Sequence, residues 1–111
     1  MDSTVDLTNL HAITDGDKEL EKSLFEEFLI SSEKTLTDLE NSFDSSASST
    51  WRSNAHALKG NALNLGATKL SDLCRKAQDN YLASTEEKKE LFNSISAEYQ
   101  QVRQFLVRQM L

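Results

Sequence analysis

The sequence contains no proline and only three glycines, Gly16, Gly60 and Gly66. Sandwiches and barrels need many more turn-forming residues than that, so the composition excludes them in favour of long helices. The one cysteine, Cys74, rules out an internal disulfide, and its place in an apolar periodic pattern makes it a small core residue. No stretch approaches the roughly 20 apolar residues needed to span a bilayer, so no membrane partner is expected. The N-terminus, MDSTVDLTNL, lacks a basic segment followed by an apolar one. With no export signal in view, a cytoplasmic location is expected. Basic residues are also scarce, 12 against 18 acidic ones, for a net charge of −6. That balance argues against nucleic acid as a partner, because binding a phosphate backbone needs an excess of Lys and Arg. No Cys/His spacing fits a metal site, and no glycine-rich loop fits a nucleotide, so no metal or cofactor is expected.

What is present is helical periodicity. At 111 residues the chain suits one compact domain, 1–111. Residues 6–14 carry Val5, Leu7, Leu10 and Ile13 on or beside one side of a brief helix, which Asp15-Gly16-Asp17 breaks; Asp17 is a fitting N-cap for the second helix. Leu20, Leu24, Phe25, Phe28, Leu29, Leu36, Leu39 and Phe43 recur at three- and four-residue steps and predict an amphipathic helix of roughly seven turns. The serine-rich run 44–50 ends it, and Ser49 or Thr50 is expected to cap the next helix. That helix has the stripe Trp51, Ala55, Leu58, Ala62 and Leu65 and stops at Gly66. A further stripe, Leu70, Leu73, Cys74, Ala77 and Tyr81, leads to a start signal at Ser84 or Thr85 followed by Glu86 and Glu87. The last helix carries Leu91, Phe92, Ile95, Tyr99, Val102, Phe105, Leu106 and Met110. The expected fold is all-α: an antiparallel four-helix bundle with a short additional N-terminal helix over one end.

Charge is unevenly placed. Between Trp51 and Lys76 stand five basic residues, Arg52, Lys59, Lys69, Arg75 and Lys76, against the single acid Asp72. This segment is +4, so the remainder is −10. A local basic zone in an acidic chain fits a small anionic target, although on charge alone a solvated helix face is the better explanation of such a run.

The segment carrying chemistry is Ala55-His56-Ala57-Leu58-Lys59-Gly60-Asn61-Ala62-Leu63-Asn64-Leu65-Gly66-Ala67. On a helix, His56 lies about 100° from Ala55 and so outside the buried stripe. Lys59 and Gly60, at i+3 and i+4, share its face, with Arg52 and Ser53 on the N-terminal side and Leu63 on the other. Helical side chains lean toward the N-terminus, so Lys59 leans back to the imidazole, while Gly60 leaves bare backbone beside it. An interior glycine costs roughly 1 kcal/mol relative to alanine, so its position asks for a reason. A neutral imidazole is a nucleophile at cellular pH, its phosphorylated form carries close to two negative charges, and a nearby ammonium stabilises them.

His56-Ala57-Leu58-Lys59-Gly60, with Asn64-Leu65-Gly66-Ala67 and then Leu70 and Cys74, resembles the signature of histidine-containing phosphotransfer (HPt) domains over nearly the whole chain. The resemblance implies a carrier in a multistep two-component phosphorelay that holds a phosphoryl group on His56 between aspartates of receiver domains. It implies that Lys59 contacts the phosphoryl group, that Gly60 leaves room for it, and that Gln78 on the next helix bonds the histidine ring. The implied partners are receiver domains of a response regulator, a hybrid sensor kinase or both; any magnesium belongs to the receiver. No autokinase activity is implied, since the chain has no nucleotide-binding part. Leu10, Ile13 and Leu63, rimmed by Arg52 and Lys59, are the expected receiver contacts. A non-catalytic helical adaptor that binds a receiver or a kinase is the alternative. Met1 favours a free-standing protein over a piece of a hybrid kinase. His11 is isolated and reads as structural or merely exposed.

Overall fold

Residues 4–111 are described in the computed structural model. Among them lie five α-helices: α1 Thr8–Thr14, α2 Lys18–Glu40, α3 Ser48–Leu65, α4 Thr68–Asp79 and α5 Thr85–Met110. A single 3-10 turn, Ser45–Ala47, leads into α3. Helix α3 packs against both α4 and α2, and α5 closes the bundle against the same two helices; α1 lies on α2. The result is an elongated body of 45 × 27 × 20 Å. The expected four-helix bundle with a short N-terminal helix is what forms.

Capping follows the sequence at two starts. Asp17 accepts from the Leu20 amide at 3.1 Å, and Ser84 accepts from the Glu87 amide at 3.2 Å. At α3 the expected cap at Ser49 or Thr50 is not used. Asp44 instead accepts from the Ser46 amide at 3.0 Å, so the chain is already coiling when α3 begins at Ser48. An aspartate directly before a serine run nucleates a turn as well as a serine caps one, and here the earlier signal wins. Phe43, expected to end α2, lies past it but still packs inward, its ring 5.9 Å from Trp51 and 5.7 Å from Phe92.

The buried face of α2 also departs from expectation. Leu20 and Leu24 are exposed. The buried stripe is Glu21, Phe25, Phe28, Ser32, Leu36 and Leu39, which keeps strict three- and four-residue steps but passes through two polar residues. Glu21 is accommodated there by α1: His11 Nδ1–H donates to its carboxylate at 2.6 Å and Thr14 Oγ1 donates at 2.7 Å. The segment before α1 is pinned as well. The Asp6 amide donates to the Gly66 carbonyl at 2.9 Å, and Val5 and Leu7 are buried. Gly66 is in the left-handed region at φ +96°, and a Cβ on it would stand 2.0 Å from the Asp6 carbonyl oxygen.

Two outcomes are expected. Gly66→Ala meets both a disfavoured backbone angle and a backbone atom that cannot move without losing a hydrogen bond, so it should cost about 2–4 kcal/mol in denaturant unfolding. A variant as stable as wild type would show that the N-terminal segment is not held there. The hydrogen bonds from His11 and Thr14 hold the Glu21 carboxyl below its ordinary range. A depressed folded-state value means the contribution is complete above the ordinary glutamate range and is lost as pH falls through the lowered value. The amides of α1 should therefore lose hydrogen-exchange protection in acid before those of α3; simultaneous loss would count against the clamp.

Candidate functional site

All five residues of the α3 stripe are buried: Trp51, Ala55, Leu58 and Ala62 completely, Leu65 nearly so. Opposite that stripe the helix faces solvent, and His56 stands there. Two hydrogen bonds fix α3 against the returning α4. The Trp51 indole N–H donates to the Ala77 carbonyl at 2.8 Å, and Ser71 Oγ donates to the Lys59 carbonyl at 3.3 Å. Just past Ala77, Gln78 comes level with His56, and its side-chain oxygen lies 3.3 Å from the imidazole Nδ1. With an accepting amide oxygen on that side, the contact is a hydrogen bond in the tautomer that has its proton on Nδ1, and that tautomer leaves the Nε2 lone pair on the outer side.

Gly60 lies one turn further on, and a Cβ built on it would meet nothing within 4 Å. The open patch inferred from the sequence is therefore real space. Lys59 is half-buried on the neighbouring side of the same face. Arg52, one turn before His56, places its guanidinium carbon 4.8 Å from the centre of the Tyr81 ring. Thus His56, Lys59, Gly60, Gln78 and Arg52 gather along the crest between α3 and α4.

The apolar residues expected beside them divide. Leu63 is 62% exposed and Ile13 77% exposed, whereas Leu10 is buried. Leu10, Ile13, Leu24, Phe28 and Leu65 line a groove of about 380 Å³ between α1, α2 and α3. Its polar wall includes Asn61, whose Nδ2 donates to Ser31 Oγ at 3.1 Å and ties α3 to α2. Arg52 and Lys59 do not line this groove, and neither does Leu63, which falls on their side of the α3 wheel. On that wheel Arg52 and Lys59 fall on the α4 side of His56, while Asn61 and Asn64 fall on the α2 side. The apolar groove and the cationic rim flank the histidine from opposite sides.

Cys74 and His11 are both engaged elsewhere in the fold. Burial pushes the Cys74 thiol up to about 12, which leaves it inert as a nucleophile. His11 is occupied by Glu21. No group of three or more His, Cys, Asp or Glu among the described residues is placed to hold a metal ion. No helix among them is long and apolar enough to cross a membrane.

Two features escaped the sequence reading. Tyr81 fits the α4 core stripe by spacing, yet it sits past the end of α4, half-buried, with Arg52 over its ring. Lys88 looks like one more charge in a solvated run, yet it is fully buried. Its Nζ donates to Ser48 Oγ at 3.1 Å and lies 5.7 Å from the centre of the Trp51 ring, supporting the start of α3. No apolar period flags a lysine that is buried by its stem and held by a ring.

Comparison with known structures finds the crystal structure of histidine-containing phosphotransfer protein B from Pseudomonas aeruginosa PAO1, with a TM-score of 0.87. The match covers 99% of this chain and 96% of that one, at 20% sequence identity, which shows a shared fold. No curated protein matches the sequence. The family model for the Hpt domain matches residues 23–105, a span that contains α3, α4, His56 and Gln78. On that match the chain belongs to the Hpt domain family, the histidine phosphotransfer proteins of phosphorelays.

Proposed function

We propose that His56 is the phosphoryl carrier of this Hpt protein, exchanging the group with aspartates of receiver domains, and that the whole chain acts as one such domain without kinase activity of its own. The observation that carries the reading is the orientation of the ring. With Nδ1–H turned to Gln78, Nε2 is the outward nucleophile on an exposed crest. In the forward step the Nε2 lone pair attacks the phosphorus of a receiver's aspartyl phosphate. The N–P bond forms as the P–O bond to the aspartate breaks, and the carboxylate leaves with its electron pair. The ring then bears a positive charge shared with Nδ1–H, which the Gln78 carbonyl oxygen accepts more strongly. The reverse step returns the group to another aspartate. Lys59 supplies an ammonium to the transferring oxygens, and Gly60 leaves the path open on the other side.

Receiver contact on the α2 side fits the groove, with Ile13 at its rim, Leu10 in its floor and Leu63 exposed on the histidine face. A receiver seated there places its aspartate over His56. The alternative of a binding-only adaptor uses the same surfaces but no chemistry, and it is separated from the first by one measurement. Incubation with a phosphorylated receiver should put acid-labile, base-stable label on the wild-type chain. His56→Gln should abolish that label and melt near the wild-type temperature, because the side chain is exposed and its loss opens no cavity. Label retained on the variant would place the phosphoryl group elsewhere.

Gly60 gives a second test, in which stability and activity move apart. Replacing an interior helical glycine that has open space at its Cβ position stabilises by about 0.4–1 kcal/mol for alanine, and glutamine should keep part of that gain. Its side chain would lean back over His56, however, and fill the space seen there. Gly60→Gln should therefore melt at or above wild type while single-turnover transfer slows roughly tenfold or more, since transfer needs reacting atoms about 3–3.5 Å apart. A stable and fully active variant would deny the open patch any role in docking.

A further inference from the structure

We propose that Tyr81 is a positioning residue for receiver docking: its ring holds the Arg52 guanidinium at the rim of His56, as a fixed cation that meets the anionic surface around a receiver's phosphoaspartate. The proposal rests on the phosphotransfer reading above.

The geometry consists of two rungs between α3 and the α4 end of the bundle. One joins His56 to Gln78 at 3.3 Å, and the other joins Arg52 to Tyr81 at 4.8 Å. Arg52 is four residues before His56 and Tyr81 is three after Gln78, so in an antiparallel pair the second rung lies one turn from the first. The Trp51–Ala77 hydrogen bond sets the spacing of both, because each of its residues neighbours one end of a rung.

The way Arg52 is held matters to its use. Among the described residues Glu33, Glu86, Glu98 and Glu21 form ion pairs, and none of them pairs with Arg52. A guanidinium held by a carboxylate has its charge neutralised and its N–H donors occupied. One held over an aromatic face keeps both its charge and the in-plane N–H edge free for an incoming anion. An unrestrained arginine on an exposed turn must lose its rotamer freedom when a partner arrives, and a ring beside it removes much of that loss beforehand. Helical side chains lean toward the N-terminus, so the imidazole of His56 leans over the turn that carries Arg52. A receiver delivering its phosphoaspartate to Nε2 therefore brings its acidic surface over this guanidinium. The chain is acidic overall, at −6, which makes a fixed local cation more consequential for approach by an acidic partner.

The test is single-turnover transfer from a receiver domain phosphorylated with acetyl phosphate, using one from a panel that labels the wild-type chain. Rates are taken against receiver concentration at low and physiological salt. Tyr81→Leu and Arg52→Gln should each raise the half-saturating receiver concentration about five- to twentyfold at low salt and flatten its salt dependence, with a much smaller effect on the maximal rate. Tyr81→Phe, which keeps the ring face, should restore wild-type behaviour, and the Tyr81→Leu/Arg52→Gln pair should be no worse than Arg52→Gln alone. Labelling by phosphoramidate, a small donor with no acidic surface, should fall far less than transfer from the receiver. Wild-type saturation in Arg52→Gln overturns the proposal even if Tyr81→Leu fails to fold. So does a Tyr81→Phe variant as impaired as Tyr81→Leu, or a salt dependence unchanged in both. A wild-type chain that takes label from phosphoramidate and from no receiver overturns the phosphotransfer reading itself, which is a distinct result.

Discussion

One buried hydrogen bond, from the Trp51 indole to the Ala77 carbonyl, sets the register on which the site depends. Both partners lie in the fully buried layer between α3 and α4. An unpaired indole N–H or carbonyl there would cost about 1–3 kcal/mol, so sliding one helix along the other is resisted by more than loss of packing. Trp51 precedes Arg52, and Ala77 precedes Gln78. The bond therefore fixes the level at which α4 offers Gln78 to the imidazole and, through the following turn, Tyr81 to the guanidinium. The Ser71 bond to the Lys59 carbonyl holds the other end of the same interval. Lys88 reinforces the arrangement from α5, its ammonium between the Trp51 ring and Ser48 at the first turn of α3.

The two glycines Gly60 and Gly66 show how one residue type answers opposite demands. Gly66 is required by its surroundings, a positive φ and a backbone oxygen where a Cβ would lie. Gly60 has nothing around it and is unfavourable for the helix by its own conformational entropy. The first position is explained by the fold. The second is not: the space beside it is open, on the face that carries His56. The helix can carry such a cost because the opposite face of the same turns, Leu58 and Ala62, is completely buried.

Polar residues determine the two flanks of the histidine. On the α2 side, Glu21 holds α1 through His11 and Thr14, and α1 in turn supplies Leu10 and Ile13 to the groove. Asn61 and Ser31 hold α2 to α3 along the same wall. On the α4 side stand two cationic residues, one half-buried and one laid against a ring. An exposed imidazole between an apolar flank and a cationic one suits a partner that is itself apolar around an acidic centre. The separation follows from α3 presenting about 100° of arc per residue, so that Asn61 and Lys59 cannot share a side.

The sequence by itself determined the helices, most of their ends and the face on which His56 stands. These follow from local rules: a 3.6-residue period separates Ala55 from His56, Asp17 and Ser84 cap the residues just after them, and Gly66 stops a helix whatever lies nearby. Local identity also made Lys59 and Gly60 neighbours of the histidine, since i+3 and i+4 are fixed by helix geometry. Only the tertiary structure decided what comes from another helix. Gln78 depended on the α3–α4 register, which a side-chain hydrogen bond spanning 26 residues sets and no period encodes. The burial of Glu21 in preference to Leu20 and Leu24 depended on what α1 offers to it. The use of Tyr81 as a platform depended on the chain turning just past α4, and the burial of Lys88 on the aromatic face opposite it. In each case the sequence specifies the residue's chemistry, while its partner is chosen by packing between segments far apart in the chain.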